Sequence, residues 1–206
     1  IQISNDDGIT WNKIESFPNI PKNTRINMIT ASLHDENVLF AALNNHRSGD
    51  FKPYILKSND KGKTWKSISS NLPENGSAFA IKQDHINPEL LFVGTEFGCY
   101  FSIDSGNNWT KLSGLPTIPV MDIDIQKREN DLVIATFGRG FYVLDNYSPL
   151  RLISKSILNK EAHLFPVKDA LLFIPSSPLG LRGVGSQGSN MWFAKNPDYG
   201  ATFTLY

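Results

Sequence analysis

The chain has 206 residues, and its 20 Lys plus Arg balance 20 Asp plus Glu, so it carries no net charge at neutral pH. That balance excludes a broad basic field for gathering nucleic acid or an anionic membrane, and the longest apolar runs, ELLFVG and DALLFIP, are far too short to span a bilayer. The single cysteine, Cys99, excludes an internal disulfide and a cysteine-based zinc cluster.

In chain order, the first informative stretch is SNDDGITW, from Ser4 to Trp11. It returns as SNDKGKTW from Ser58 and as SIDSGNNW from Ser102, at separations of 54 and 44 residues. The opening IQISNDDGITW starts inside such a unit without a methionine, and reads as part of a longer polypeptide with any export signal upstream. A period of roughly 40–50 residues in β-rich text predicts propeller blades. ENVLFAAL (36–43), ELLFVGTE (89–96) and DLVIATFG (131–138) align as one recurring strand. The last two units match without a gap: Leu91 to Val133, Gly98 to Gly140 and Tyr100 to Tyr142 all differ by 42. The first needs extra residues in NNHRSGDFK, 44–52.

Runs of Val, Ile, Phe and Thr bounded by Gly, Asn, Asp and Pro place strands near 26–33, 37–43, 53–58 and 64–69. The next blade has them near 78–84, 90–95, 98–103 and 108–112, and a third near 119–126, 131–136 and 140–145. The expected fold is all-β, a partial β-propeller of four-stranded antiparallel blades over residues 1–150, with the first and last blades incomplete. Residues 151–206 read as a connector with a short helix at 154–160, an extended HLFP, and the start of a further β-rich region. Its tail from Ala170, rich in Pro, Gly and Ser, reads as loops joining short strands.

An aspartate and a glycine in a short polar loop raise the question of a metal. In an EF-hand-type loop, Ile3 and Ile14 would take the first and last ligand positions, and neither coordinates a hard cation. No metal or other cofactor is therefore expected. A packing role explains every slot. Asp6, Asp60 and Asp104 accept hydrogen bonds from turn N–H groups. Gly8, Gly62 and Gly106 supply a positive φ, and the hydroxyls of Ser4, Ser58 and Ser102 tie each turn to itself. Trp11, Trp65 and Trp109 open the next strand, where a large ring fills the wedge between blades. Repetition argues against catalysis, which needs one constellation rather than copies spread around a ring.

This repeated Ser-x-Asp-x-Gly-x-(Thr/Asn)-Trp pattern resembles the Asp-box, or BNR, repeat of sialidases, xyloglucanase-type glycosidases, sortilin receptors and plant photosystem assembly factors. DLVIATFGRGFYVLDNYSPLR (131–151) with AHLFP (162–166) resembles the end of the propeller in exported bacterial proteins called sortilin-like or BNR glycosyl-hydrolase-like. NPDYGATFTLY (196–206) resembles the entry to the β-domain that follows there. The resemblance implies export to the periplasm, cell surface or medium, a protein or glycan partner, and further blades in the parent polypeptide. Such proteins often carry histidine before Gly-Arg-Gly, where this chain has Phe137.

Turns between strands two and three point away from the Asp-box rim. They carry His46, Arg47 and Asp50, then Glu96, then Arg139, and the connector NLPENGS brings Glu74 to the same side. Ligands of such rings sit in one mouth served by several loops. A glycosidase needs two carboxylates roughly 5–10 Å apart, so Glu96, Asp50 and Glu74 are the candidates for acid and base. A sialidase needs an arginine cluster, for which Arg47 and Arg139 are too few. His46, Arg47 and Arg139 are candidates for a binding rim. All six also read as solvated turn residues, with Arg139 pinning neighbouring carbonyls. Asp122 and Asp124 alternate with apolar residues and read as solvent-facing or turn-capping. GVGSQG (183–188) matches a dinucleotide pattern but lacks the following helix. Asn75, Asn108 and Asn146 sit in glycosylation sequons, relevant only in a eukaryotic secretory setting. His34, His85 and His163 have no second ligand at metal spacing. Two functions remain, a recognition scaffold and a glycoside hydrolase.

Overall fold

The computed structural model describes residues 1–4, 6–170, 172 and 199–206, so GVGSQG lies outside the described residues. The chain divides into two compact units, Ile1–Ile153 and Ser154–Tyr206. Among the described residues, no helix is long and apolar enough to cross a membrane.

The first unit is a partial propeller. A two-stranded hairpin, β1 (Gln2–Ile3) and β2 (Asn12–Lys13), precedes the first full blade. That blade runs β3 (Arg25–Ala31), β4 (Leu39–Asn45), β5 (Asp50–Ser58) and β6 (Lys66–Ser67). The second is β7 (Ala78–Gln83), β8 (Leu91–Thr95), β9 (Gly98–Ser102) and β10 (Thr110–Lys111). The third has three strands, β11 (Val120–Gln126), β12 (Asp131–Thr136) and β13 (Phe141–Leu144). All neighbours pair antiparallel. The innermost strands β3, β7 and β11 lie side by side. The residues expected to lengthen the first blade form a 3-10 turn, His46–Ser48.

Both faces of the middle blade are buried, which is why its strand reads as an unbroken apolar run. Leu91 and Val93 pack towards the first blade with Phe40, Ala42, Ile55 and Trp109. Leu90 and Phe92 pack towards the third with Ile123, Leu132 and Ile134. These contacts correct the ungapped alignment of the last two units. Ile81 pairs with Val93 and Ile123 with Ile134, so Val93 corresponds to Ile134, and Leu91 to Leu132 rather than to Val133. One residue fewer between strands one and two offsets one more at the Gly138–Arg139 turn, hiding the shift. A one-residue slip exchanges the faces of a strand.

Where the second and third blades meet, Gly94 has no room for a side chain: a Cβ there would lie 2.6 Å from the backbone oxygen of Val120. Gly94→Ala is expected to force the blades apart at a cost of roughly 2 kcal/mol. For a unit of this size that is a fall in melting temperature of roughly 4–8 °C. An unchanged melting curve would contradict the close contact.

After β13 a 3-10 segment, Ser148–Leu152, brings Tyr147 and Arg151 against Asp84 of the β7–β8 turn. In the second unit, α1 (Lys155–Leu158) is capped by Ser154, whose Oγ accepts from Ile157 N–H. It is shorter than the helix predicted over 154–160. Leu164 and Leu205 form an antiparallel bridge flanked by reciprocal backbone bonds between His163 and Tyr206, each 2.9 Å.

Candidate functional site

Antiparallel hairpins send alternate turns to opposite rims. On one rim stand the three Ser-x-Asp-x-Gly turns, with one hydrogen-bond pattern. In the second, Ser58 Oγ donates to Asp60 Oδ1 at 2.8 Å and accepts from Gly62 N–H at 2.8 Å. Asp60 then accepts from the N–H and hydroxyl of Thr64, at 2.8 and 2.5 Å. The same bonds recur around Asp6 with Thr10, and around Asp104 with Asn108. Two successive residues turn left-handed, Lys61 at φ 58° and Gly62 at φ 83°, and likewise Asp7–Gly8 and Ser105–Gly106. The hydroxyl and N–H of Thr64 hold the Asp60 carboxyl down to about 2, so it stands ionised with its oxygens occupied by its own turn. Trp109 goes further: its indole N–H donates to Ile68 O of the preceding blade at 2.8 Å.

The opposite rim has another construction. Each innermost strand carries a β-bulge near its start: pairing skips Asn27 between Ile26 and Met28, Phe79 between Ala78 and Ala80, and Met121 between Val120 and Asp122. A bulge re-aims the extra residue. All three extra residues line one open recess of about 290 Å³. Arg25 and Met28 of β3 complete one wall, Asn44 and His46 a second, and Asp122 a third. The site therefore mixes a guanidinium, a carboxylate, two amides and an imidazole with two thioethers and a phenyl ring. Asn44 is buried, and its Oδ1 lies 2.6 Å from His46 Nδ1. With that oxygen accepting, His46 Nδ1–H is the donor, and the bond orients the ring. Asn27 Oδ1 is shut off from solvent with no hydrogen-bond partner among the described residues, a costly condition for an amide.

Of the six residues singled out on this rim from sequence, His46 lines the recess, and Arg47, Asp50, Glu74, Glu96 and Arg139 do not. Asp50 is engaged locally, accepting from Tyr54 Oη at 2.6 Å, Lys52 N–H at 3.2 Å and Asn45 Nδ2 at 3.4 Å. Burial, the largest single influence, pushes its carboxyl up, but these donors together outweigh it and hold it below the usual carboxylate value. Glu96 N–H donates to Ser77 O, placing its turn beside the connector that carries Glu74. Asp124, read as solvent-facing, forms an ion pair with Lys82 at 2.6 Å. Asp122 accepts from Ile123 N–H at 2.8 Å. Among the described residues, no group of three or more His, Cys, Asp or Glu side chains is placed to hold a metal ion.

The chain matches no protein-family model and no curated protein. Similar solved structures exist. YCF48 bound to a D1 peptide is 18% identical, with a TM-score of 0.50 over 68% of this chain and 41% of its own. The fold is that of a β-propeller in part. The GH74 xyloglucanase of Xanthomonas campestris is 16% identical, with a TM-score of 0.48 over 61% of this chain and 22% of its own. A mutant of the NanB sialidase of Streptococcus pneumoniae is 17% identical, with a TM-score of 0.46 over 70% and 25%. The chain thus spans less than half the length of each, and at these identities the likeness is one of fold.

Proposed function

We propose that this chain is a recognition module whose ligand, a protein or a glycan, seats in the propeller mouth on the rim away from the Ser-x-Asp-x-Gly turns. The observation that carries this reading is the triple bulge: three blades each divert one side chain, Asn27, Phe79 and Met121, into the same recess. An arrangement repeated by blades of different sequence, one of whose residues, Asn27, has an amide oxygen without a partner among the described residues, supports a binding role rather than a packing one. The turns on the other rim serve as scaffold. Export and the presence of further blades follow from the resemblance of the sequence to exported Asp-box proteins.

The hydrolase reading has less support. Among the described residues, the recess is lined by one carboxylate, Asp122, where two are needed. A general acid also needs a raised pKa, and the donors around Asp50 act in the opposite direction. Incubation with a panel of β-glucans, xyloglucan and sialosides, followed by reducing-end and free-sialic-acid assays, tests the point. No turnover is expected. Turnover abolished by Glu96→Gln or Asp122→Asn would replace recognition by hydrolysis.

A further inference from the structure

The walls of the recess give it a polarity. Arg25 and Asn44 are direct cross-strand partners on β3 and β4, so their side chains share one face. Asn44 Oδ1 is engaged by His46. That side of the recess therefore offers donors, the guanidinium of Arg25 and the amide N–H groups of Asn44. Across it, Asp122 of β11 offers a carboxylate. Between the two stands β7, whose bulge residue Phe79 is half-buried. Two thioethers flank its ring. Met28 is fixed: its Sδ accepts from Ile81 N–H at 3.4 Å, and it packs against the cores on both sides of the middle blade. Met121 is 41% exposed, and its unbranched side chain adapts to the shape it meets.

A ligand that uses all of this carries an anion at one end, an apolar group in the middle and a cation at the other end. A neutral sugar supplies neither charge, and an acidic sugar answers Arg25 but not Asp122. A free amino acid has both charges, yet holds them on one carbon. That is too close to reach β3 and β11 together, because β7 lies between those strands. A protein segment carries the three groups on separate residues and spaces them along its backbone.

We propose that the recess takes a segment of a partner protein in which an apolar side chain is flanked by an acidic residue on one side and a basic residue on the other. The acidic residue meets Arg25 and Asn44, where a guanidinium binds a carboxylate through two parallel bonds. The apolar side chain seats against Phe79 between Met28 and Met121, and the basic residue meets Asp122. The buried apolar anchor supplies affinity, while the opposed charges fix the direction in which the segment crosses the blades. This inference rests on the recognition reading above and narrows its ligand from a protein or a glycan to a protein.

The test is selection of peptides from a random displayed library on the purified chain, followed by fluorescence anisotropy with synthetic copies blocked at both ends. Selected peptides should share an acidic, an apolar and a basic residue in one order and spacing. Replacing the apolar residue by alanine should weaken binding roughly tenfold or more. Arg25→Glu should weaken it similarly, and changing the peptide's acidic residue to lysine should restore it. Asp122→Lys, with the peptide's basic residue changed to glutamate, should give the reciprocal rescue. Arg25 and Asp122 are both exposed, and far-UV circular dichroism checks that the variants fold. Peptides whose binding falls in Phe79→Ala but ignores both charge reversals overturn the proposal and leave the mouth as a recognition site. Retention of glycans rather than peptides, lost in Phe79→Ala, overturns it in favour of a glycan. A chain that selects neither peptide nor glycan overturns the recognition reading as well.

Discussion

Asp84→Ala is expected to destabilise the first unit by roughly 3–5 kcal/mol, the cost of stranding a buried charge. Asp84 is fully buried in the turn between β7 and β8. Its carboxylate takes two bonds from Arg151, from Nε and Nη2, both at 2.8 Å, and one from Tyr147 Oη at 2.5 Å. Backbone N–H groups of Ile86 and Asn87 donate to it at 3.0 and 2.6 Å. The Arg151 guanidinium also stacks over the Tyr147 ring, and His34 Nε2 reaches Asp84 O at 2.8 Å. One residue thus joins the turns of two blades to the segment that leaves the third. Without it, a buried arginine and a buried phenol lose their acceptor together. Arg151→Met should be costly as well, because it leaves the fully buried Asp84 carboxylate without its counter-ion, with only Tyr147 Oη and the N–H groups of Ile86 and Asn87 still donating to it.

The same group fixes a pH dependence. Burial, the largest single influence, raises the Asp84 carboxyl, but the bonds from Arg151, Tyr147 and the backbone outweigh it and hold it at about 2, against 3.8 for a free aspartate. A folded-state pKa below the unfolded one gives stability that is present above the unfolded value and lost as pH falls through the folded one. The difference corresponds to about 2 kcal/mol. Urea denaturation from pH 6 to pH 2 should therefore show the gap between wild type and Asp84→Asn narrowing below pH ~4. A gap independent of pH would contradict the ionised clamp.

The second large effect is a contrast between two copies of one motif. Trp109→Ala should cost roughly 3–5 kcal/mol, whereas Trp11→Ala at low protein concentration should change the melting temperature little. Trp109 is 4% exposed among Phe40, Ile55 and Tyr100, with its indole N–H on Ile68 O and its backbone N–H on Asn71 Oδ1. Trp11 is 59% exposed, and its indole N–H donates to Gly8 O of its own turn. The motif is the same; the strands Trp109 packs against and its bond to Ile68 O make the difference. Equal losses in the two variants would show that the ring stabilises its own turn rather than the joint between blades.

The blades were legible because turn chemistry is local: Ser58, Asp60, Gly62 and Trp65 lie within eight residues, and so do their counterparts. The left-handed residue before each glycine escaped notice because Asp7, Lys61 and Ser105 share no side-chain chemistry. The fourth strands are shorter than the sequence predicts, Lys66–Ser67 and Thr110–Lys111, each followed by one further bond, from Ile68 and from Leu112. The clamp was illegible because Asp84 and Arg151 stand 67 positions apart, and each alone is an ordinary turn or connector residue. Of the residues lining the recess, His46 is a site candidate from sequence and Asp122 reads there only as a solvent-facing or turn-capping residue. Asn27, Phe79 and Met121 are placed by bulges, and a bulge adds one residue to a strand without altering its composition. The trace it leaves is a broken alternation near the start of RINMITA, AFAIKQ and VMDIDIQ, visible once the register is known.

The most direct test of the account is a comparison of ligand binding between rims. Binders selected from a displayed peptide library and from a glycan array would be measured against the wild type, an Asn27→Ala/Phe79→Ala/Met121→Ala variant, and Asp104→Asn. The account predicts affinity reduced at least roughly tenfold by the triple variant and unchanged by Asp104→Asn in folded protein. Binding that survives the triple variant and disappears with Asp104→Asn would place recognition on the rim assigned here to scaffold.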